Sequence, residues 1–299
     1  MRKIGWILGF AAVAVLLWYL FLKKEHYQIS FTTKQPPGVV FQHLKEWPVF
    51  GKLDSLSVTM ESQDPYHSLK QQVVVHDSTQ SYQWSIYRKN DSLTKVTAYI
   101  HDVDHHWKQK LLIPFTKTDF VKRSVKNVKT IGSQLIRKAE NFRVGKISDT
   151  LLPSTFCAFI PVQSSVNGKA QNMLRDINLV MPILKDHNIS LSGPPFLEVK
   201  KWDREKDSIW FDFCFPVLAS DSLPQSPSFK YKKTNSTKAL KAIFNGNYRI
   251  SSNAWYYLLD EAERENLSVN PTPIEIFLND PHEGGESLQW ESHILLPLK

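Results

Sequence analysis

The chain has 299 residues, 42% of them hydrophobic and 22% charged, with a formal net charge of +8. That length exceeds one ordinary domain, and the globular composition excludes a largely disordered chain, so two domains with a short addition are expected. The two cysteines, Cys157 and Cys214, are too few for a disulfide framework or a cysteine zinc cluster; both fall in strand-like runs, where buried thiols are expected and a single disulfide is the alternative.

Ile4 to Leu22 carries no charge and is flanked by Arg2-Lys3 and Lys23-Lys24. Such a run can cross a hydrocarbon core of about 30 Å at about 1.5 Å per residue, which predicts an uncleaved single-pass anchor over residues 1–25 and a membrane localisation. Ala12-Val13-Ala14 imitates a signal-peptide cleavage site, but cleavage there would leave the apolar Val15 to Leu22 on the mature end. Trp6, Trp18 and Tyr19 lie near the ends of the run, as interfacial aromatics do. The flanking charges nearly balance; the free amino group beside Arg2-Lys3 favours an N-terminus in the cytoplasm.

From Tyr27 the pattern changes to an alternating strand, Gln28-Ile29-Ser30-Phe31-Thr32, then Pro36-Pro37, a helical run from Gly38 to Glu46, and Trp47-Pro48. This order resembles the opening of START-like (SRPBCC, polyketide-cyclase-type) domains. In that family two further tryptophans commonly follow the Trp-Pro; here those places hold Phe50 and Leu53. Leu69–Val75, Ser81–Arg88 and Leu93–Ile100 read as successive strands, and a helix from about Lys117 to Phe142 would close a domain over residues 26–146. The resemblance implies a curved antiparallel sheet around that last helix, enclosing an apolar cavity suited to lipids. Trp47, Trp84 and Trp107 are read as core.

Between Trp107 and Lys146 there are eleven Lys or Arg against two acids, Asp119 and Glu140. Val121, Val125, Val128, Gly132 and Leu135 recur by threes and fours, so the charges are read as the solvated face of a core-packed helix. Attraction to anionic lipid is the next reading. With no groove-reading module, no nucleic-acid partner is expected. His101-Asp102-Val103-Asp104-His105-His106 is the densest titratable cluster; on a strand it would split, His101 and His105 to one face and the rest to the other, so no metal and no cofactor is assigned.

After a short linker, Gly145 to Leu152, the pattern repeats. Thr155 to Val162 is a strand, about Val166 to His187 a helix that Pro182 should kink or end early, and Glu198 and Trp210 to Val217 lie on two further strands. Beyond the Ser- and Pro-rich connection 220–228, a second copy starts around Lys230 to Lys233, passes Phe244-Asn245-Gly246-Asn247-Tyr248 and enters a helix from about Ser252 to Leu267, capped by Ser251, Ser252 or Asn253. It ends in Ile274 to Leu278, a polar turn and Ser292 to Leu298. Aligning Gly193-Pro194-Pro195-Phe196 with Asn270-Pro271-Thr272-Pro273 pairs Glu198 with Glu275 and Asp212 with His293.

The fold class expected is therefore α+β, the last part being two strand-helix-strand-strand units with pseudo-twofold symmetry and a groove between them. The Gly-Pro-Pro-Phe, the Phe-Pro-Val strand end, the Gly-x-Tyr, the Asn-Asp-Pro turn and the final Leu-Pro-Leu over residues 153–299 resemble the GyrI-like effector-binding domain. This is also the sensor half of AraC-type and MerR-type regulators. The resemblance implies ligand binding in the groove, where the family's Glu on the final strand can recognise cationic, aromatic-rich ligands. Here that place holds His293.

The candidate ligand-binding residues are Glu198, Asp212, Tyr248, Trp255, Glu275 and His293, with no catalytic residue assigned. The function expected is a membrane-anchored binder of a hydrophobic or amphipathic small molecule, in contact with membrane lipid through its anchor and open to a protein partner. The alternatives are a hydrolase in which Glu275 and His293 form an acid–base pair and a ligand-sensing regulatory partner protein.

Overall fold

The computed structural model describes residues 2–50, 56–75, 78–280 and 284–299. It divides into two units, 1–136 and 137–299. Leu53 and the turn residues Pro281, His282 and Glu283 lie outside the described residues.

The first unit opens with α1, Arg2–Leu17, whose side chains from Trp6 to Leu17 are exposed, followed by a π-helical turn, Trp18–Leu22. This corrects the expected anchor. The apolar run is divided: the α-helix that holds its first part has 16 residues, about 24 Å at the usual rise. No helix among the described residues is long and apolar enough to cross a membrane. The end of the run is instead tied to the first unit: Tyr19 Oη donates to the Lys110 carbonyl at 3.0 Å, Lys110 Nζ donates to the Leu20 carbonyl at 2.5 Å, and the Phe21 and Trp107 rings meet edge-on. The single-pass anchor, the membrane localisation and the lipid partner through that anchor therefore have no support.

β1 (Tyr27–Thr33), α2 (Pro37–Lys45) and the short α3 (Trp47–Phe50) follow, then β2 (Ser57–Asp64), β3 (Ser68–Val75), β4 (Ser78–Asn90) and β5 (Leu93–Asp102). They form an antiparallel sheet in the order β1-β5-β4-β3-β2. α4 (His106–Leu112) and α5 (Asp119–Glu140) complete this part of the chain. The helix α5 buries Phe120, Val121, Val128, Ile131 and Leu135 and turns its lysines outward, as its period requires.

Between this helix and the sheet lie Trp47, Tyr82 and Trp84, all buried, with Trp84 Nε1 donating to Gln71 and Asn127 Nδ2 donating to the Tyr82 hydroxyl. Trp107, expected in the core, is half exposed because it sits on α4 rather than on a strand.

The second unit is built on one sheet, in the order β11-β8-β10-β9-β13-β14-β12-β6, with β7 also paired to β12. Its elements are β6 (Phe142–Val144), β7 (Ser148–Leu152), β8 (Phe156–Ser165), α6 (Lys169–Asp186), β9 (Phe196–Asp203), β10 (Ser208–Pro216), β11 (Lys230–Lys233), β12 (Thr237–Gly246), α7 (Asn253–Arg264), β13 (Ile274–Phe277) and β14 (Glu291–Pro297). The order strand-helix-strand-strand occurs twice, as β8-α6-β9-β10 and β12-α7-β13-β14, and the central six strands read the same from either side of the β9–β13 pair.

Both helices pack on one face, over Leu197, Phe213, Ile294 and Leu296. The opposite face carries a smaller apolar cluster of Cys157, Phe196, Cys214, Ile274 and Leu295. Both cysteines are free, buried thiols.

Several details differ from expectation. The second copy begins with β12, because the strand at Lys230–Lys233 pairs at the outer edge of β8. The expected linker is largely strand, with β7 covering β12. α6 runs through Pro182 to Asp186. α7 starts without a side-chain cap from Ser252; Asn253 Nδ2 donates to the Ile250 carbonyl instead.

Candidate functional site

The helix face of the second sheet holds a cavity of about 630 Å³. One wall is α6, whose Met173, Ile177 and Met181 stand on consecutive turns; the floor is Phe213 and Phe215 of β10. The far wall comes from the Gly-Asn-Tyr segment after β12 and from the ends of β13 and β14: Tyr248, Phe277 and Trp290.

Their rings are mutually braced, Tyr248 to Phe277 at 4.9 Å and Tyr248 to Trp290 at 5.9 Å between centroids. The Tyr248 hydroxyl donates to the Glu291 carbonyl at 2.8 Å and accepts from the Asn279 N–H at 3.2 Å, so its polar end is engaged and its ring faces the cavity. Burial raises the Tyr248 phenol above its ordinary value. The polar residues at the cavity are Asn247, Arg249, Asn279 and Asp280.

Directly behind this wall is a wholly buried polar cluster. Glu275 and Lys169 have no exposure to solvent, and Lys169 Nζ lies 3.1 Å from Glu275 Oε2. The same ammonium donates to the Tyr248 carbonyl at 2.8 Å and to Ser251 Oγ at 2.6 Å. Ser251 Oγ is 2.8 Å from Glu275 Oε2, and Trp255 Nε1 donates to Glu275 Oε1 at 2.6 Å. Every proton of the ammonium has an acceptor and both carboxylate oxygens have donors, the condition for burying an ion pair. Burial pulls the Lys169 ammonium below the ordinary lysine value, and Glu275 opposes that shift.

Lys169 was missed in the sequence reading. The signal was faint: it opens the helix on the apolar stripe that Ala170 and Met173 define.

The six predicted residues divide into three groups. Tyr248 lines the cavity, and Glu275 and Trp255 form the cluster beneath it. Glu198 and Asp212 lie on the opposite face of the sheet, because Glu198 pairs with Ile274 and Asp212, whereas Glu275 pairs with Leu197 and Ile294. There Lys232 Nζ bridges Glu198 at 2.5 Å and Asp212 at 2.6 Å, with Lys200 2.8 Å from Glu198. Against the opposing effect of burial, these lysines hold the Glu198 carboxyl below the usual carboxylate range.

His293 also faces away from Glu275, pairing with Ile276 and Ile243, and its Nε2 is 3.0 Å from Glu291. The acid–base pair of Glu275 with His293 is therefore not formed. The alignment of Glu198 with Glu275 is also corrected, since both helices cover one face and a twofold must preserve faces.

In the first unit, the titratable cluster breaks at the end of β5. His101 and His106 meet His26, which precedes β1, with ligand atoms of all three within 4.8 Å of one another. His26 Nδ1 accepts from the Asp102 N–H at 3.0 Å, so its Nε2 carries the proton shared with His106 Nδ1 at 2.9 Å. Burial, then the neighbouring His101 and His106, push His26 down to about 3. A hollow of about 320 Å³ lies between β1 and α5, beside Phe31 and Gly132.

No family model and no curated protein matches this sequence. Among solved structures, the chain is similar to the C-terminal domain of EcmrR, at 16% identity and a TM-score of 0.42, covering 52% of this chain and 97% of that one. It is similar to SAV2435 bound to tetraphenylphosphonium, at 9% identity and a TM-score of 0.36, over 52% and 94% of the two chains. It is also similar to a hydrolase from Listeria innocua, at 13% identity and a TM-score of 0.35, over 52% and 92%. Each is a distant likeness.

Proposed function

We propose that the second unit captures a hydrophobic or amphipathic small molecule in the cavity between α6, β10 and the Tyr248–Trp290 wall. The observation that carries this reading is the lining: methionine, isoleucine and five aromatic rings around about 630 Å³, the size and chemistry of a small-molecule site with a few polar groups at its mouth. The motif order over residues 153–299, which resembles the GyrI-like effector-binding domain, supports the same reading. Capture is favoured over turnover, because Glu275, the buried carboxylate behind the wall, is held in a saturated ion pair and has no imidazole partner. The START-like reading of residues 26–146 remains a resemblance in element order; Trp47, Tyr82 and Trp84 are buried there, and a hollow of about 320 Å³ lies beside Phe31 and Gly132.

The test uses the full chain and Nile red, an uncharged lipophilic dye. Saturable one-to-one binding is expected, lost in Ile177→Trp, which fills the cavity from α6. Absence of saturable binding, or binding untouched by that substitution, sinks the proposal.

A further inference from the structure

The ion pair beneath the cavity sets what kind of molecule the cavity accepts. Glu275 is two residues from Phe277 on the same face of β13, Ala170 next to Lys169 lines the cavity, and Lys169 holds the carbonyl of Tyr248, whose ring is the cavity wall. The pair is thus one side-chain layer from any bound molecule. A bare carboxylate so placed, away from water, would attract a cation strongly. Lys169 cancels it from within the protein, held by three acceptors and beyond the reach of solvent.

At the mouth, Arg249 is exposed and forms no ion pair among the described residues. The acid at the mouth, Asp280, is also exposed, so water screens both mouth charges and the buried pair lies beyond that screening.

Building on the capture reading above, we infer that Lys169 is the internal counter-ion of Glu275 and a specificity determinant. The cavity takes uncharged or anionic amphiphiles and rejects lipophilic cations of the same shape.

Tetraphenylborate and tetraphenylphosphonium test this, since they share shape and size and differ in the sign of charge. Their affinities for the full chain are measured by calorimetry at pH 8 and fixed ionic strength. The wild-type chain is expected to prefer the borate by on the order of tenfold.

Lys169→Met is expected to shift the ratio toward the phosphonium, and Glu275→Gln to shift it further toward the borate, each by on the order of tenfold. A purely structural ion pair would lower the melting temperature in both variants and leave the ratio unmoved. That result, or a shift of both variants in one direction, overturns the inference. The wild-type ratio needs no variant, so equal binding or a preference for the phosphonium overturns it even if a variant fails to fold. In that case capture stands. If neither ion nor Nile red binds, capture itself falls and the inference falls with it.

Discussion

Lys169, Ser251, Trp255 and Glu275 satisfy one another so completely that removing one partner leaves the others exposed to a cost they do not bear in the native chain. Glu275→Leu alone should lower the unfolding free energy by about 3–5 kcal/mol, because it strands a buried ammonium. The double variant Lys169→Met/Glu275→Leu should recover most of that loss, and urea unfolding of the three chains decides it.

His26 gives a second prediction at this scale. Its folded-state value of about 3 lies below the ordinary 6.5, so the unfolded chain binds more protons between those limits. Stability contributed by neutral His26 is complete above about pH 6.5 and is lost as pH falls toward 3, at up to about 1.4 kcal/mol per pH unit. His26→Asn keeps an acceptor for the Asp102 N–H and should flatten this slope in unfolding curves measured across pH.

The sequence singles out Glu275, Trp255 and Tyr248 because an acid within a short apolar strand and aromatic residues at the start of a helix stand out. It misplaces Glu198 because a strand register wrong by one residue reverses the face, and nothing in the two aligned motifs reports that slip.

At the scale of elements, the helices α2, α5, α6 and α7 and the strands β3, β4, β5, β8 and β14 were legible, since each repeats its apolar residues with a clear period over several turns or pairs. β2 was not, because Ser57 to Asp64 is mostly polar and buries only Val58. The N-terminal run misled for the reverse reason: hydropathy reports that a segment is apolar but not where its helical winding changes.

Pro182 shows tertiary packing overriding a local rule. It lies inside α6 and removes a backbone bond to Asn178, but Leu184 one half-turn on is fully buried and keeps the helix in place. Pro182→Ala should restore the bond and raise the melting temperature.

Gly246 carries a different constraint. Its φ is +154°, and a Cβ would lie 2.9 Å from both Phe142 and Phe244. Gly246→Ala should therefore cost about 2 kcal/mol or more, read by thermal unfolding.

Over the whole molecule, each unit has its own apolar core, one centred on Trp47, Tyr82 and Trp84, the other on the helix face of the larger sheet. A ligand of the cavity should act on the second of these. At about one hundred times its Kd it should stabilise that unit by about 2.7 kcal/mol, and hydrogen exchange should slow in α6 and around Tyr248. Protection confined to residues 2–136 would contradict the cavity assignment.

The larger sheet also has two unequal margins. At one end β12 is covered by β6 and β7. At the other, β11 is four residues long, with Lys230 and Lys233 exposed. A short, cationic margin repels a second copy approaching edge to edge, so the broad hydrogen-bonded surface of this sheet is guarded against self-templated aggregation at the place where growth would otherwise begin.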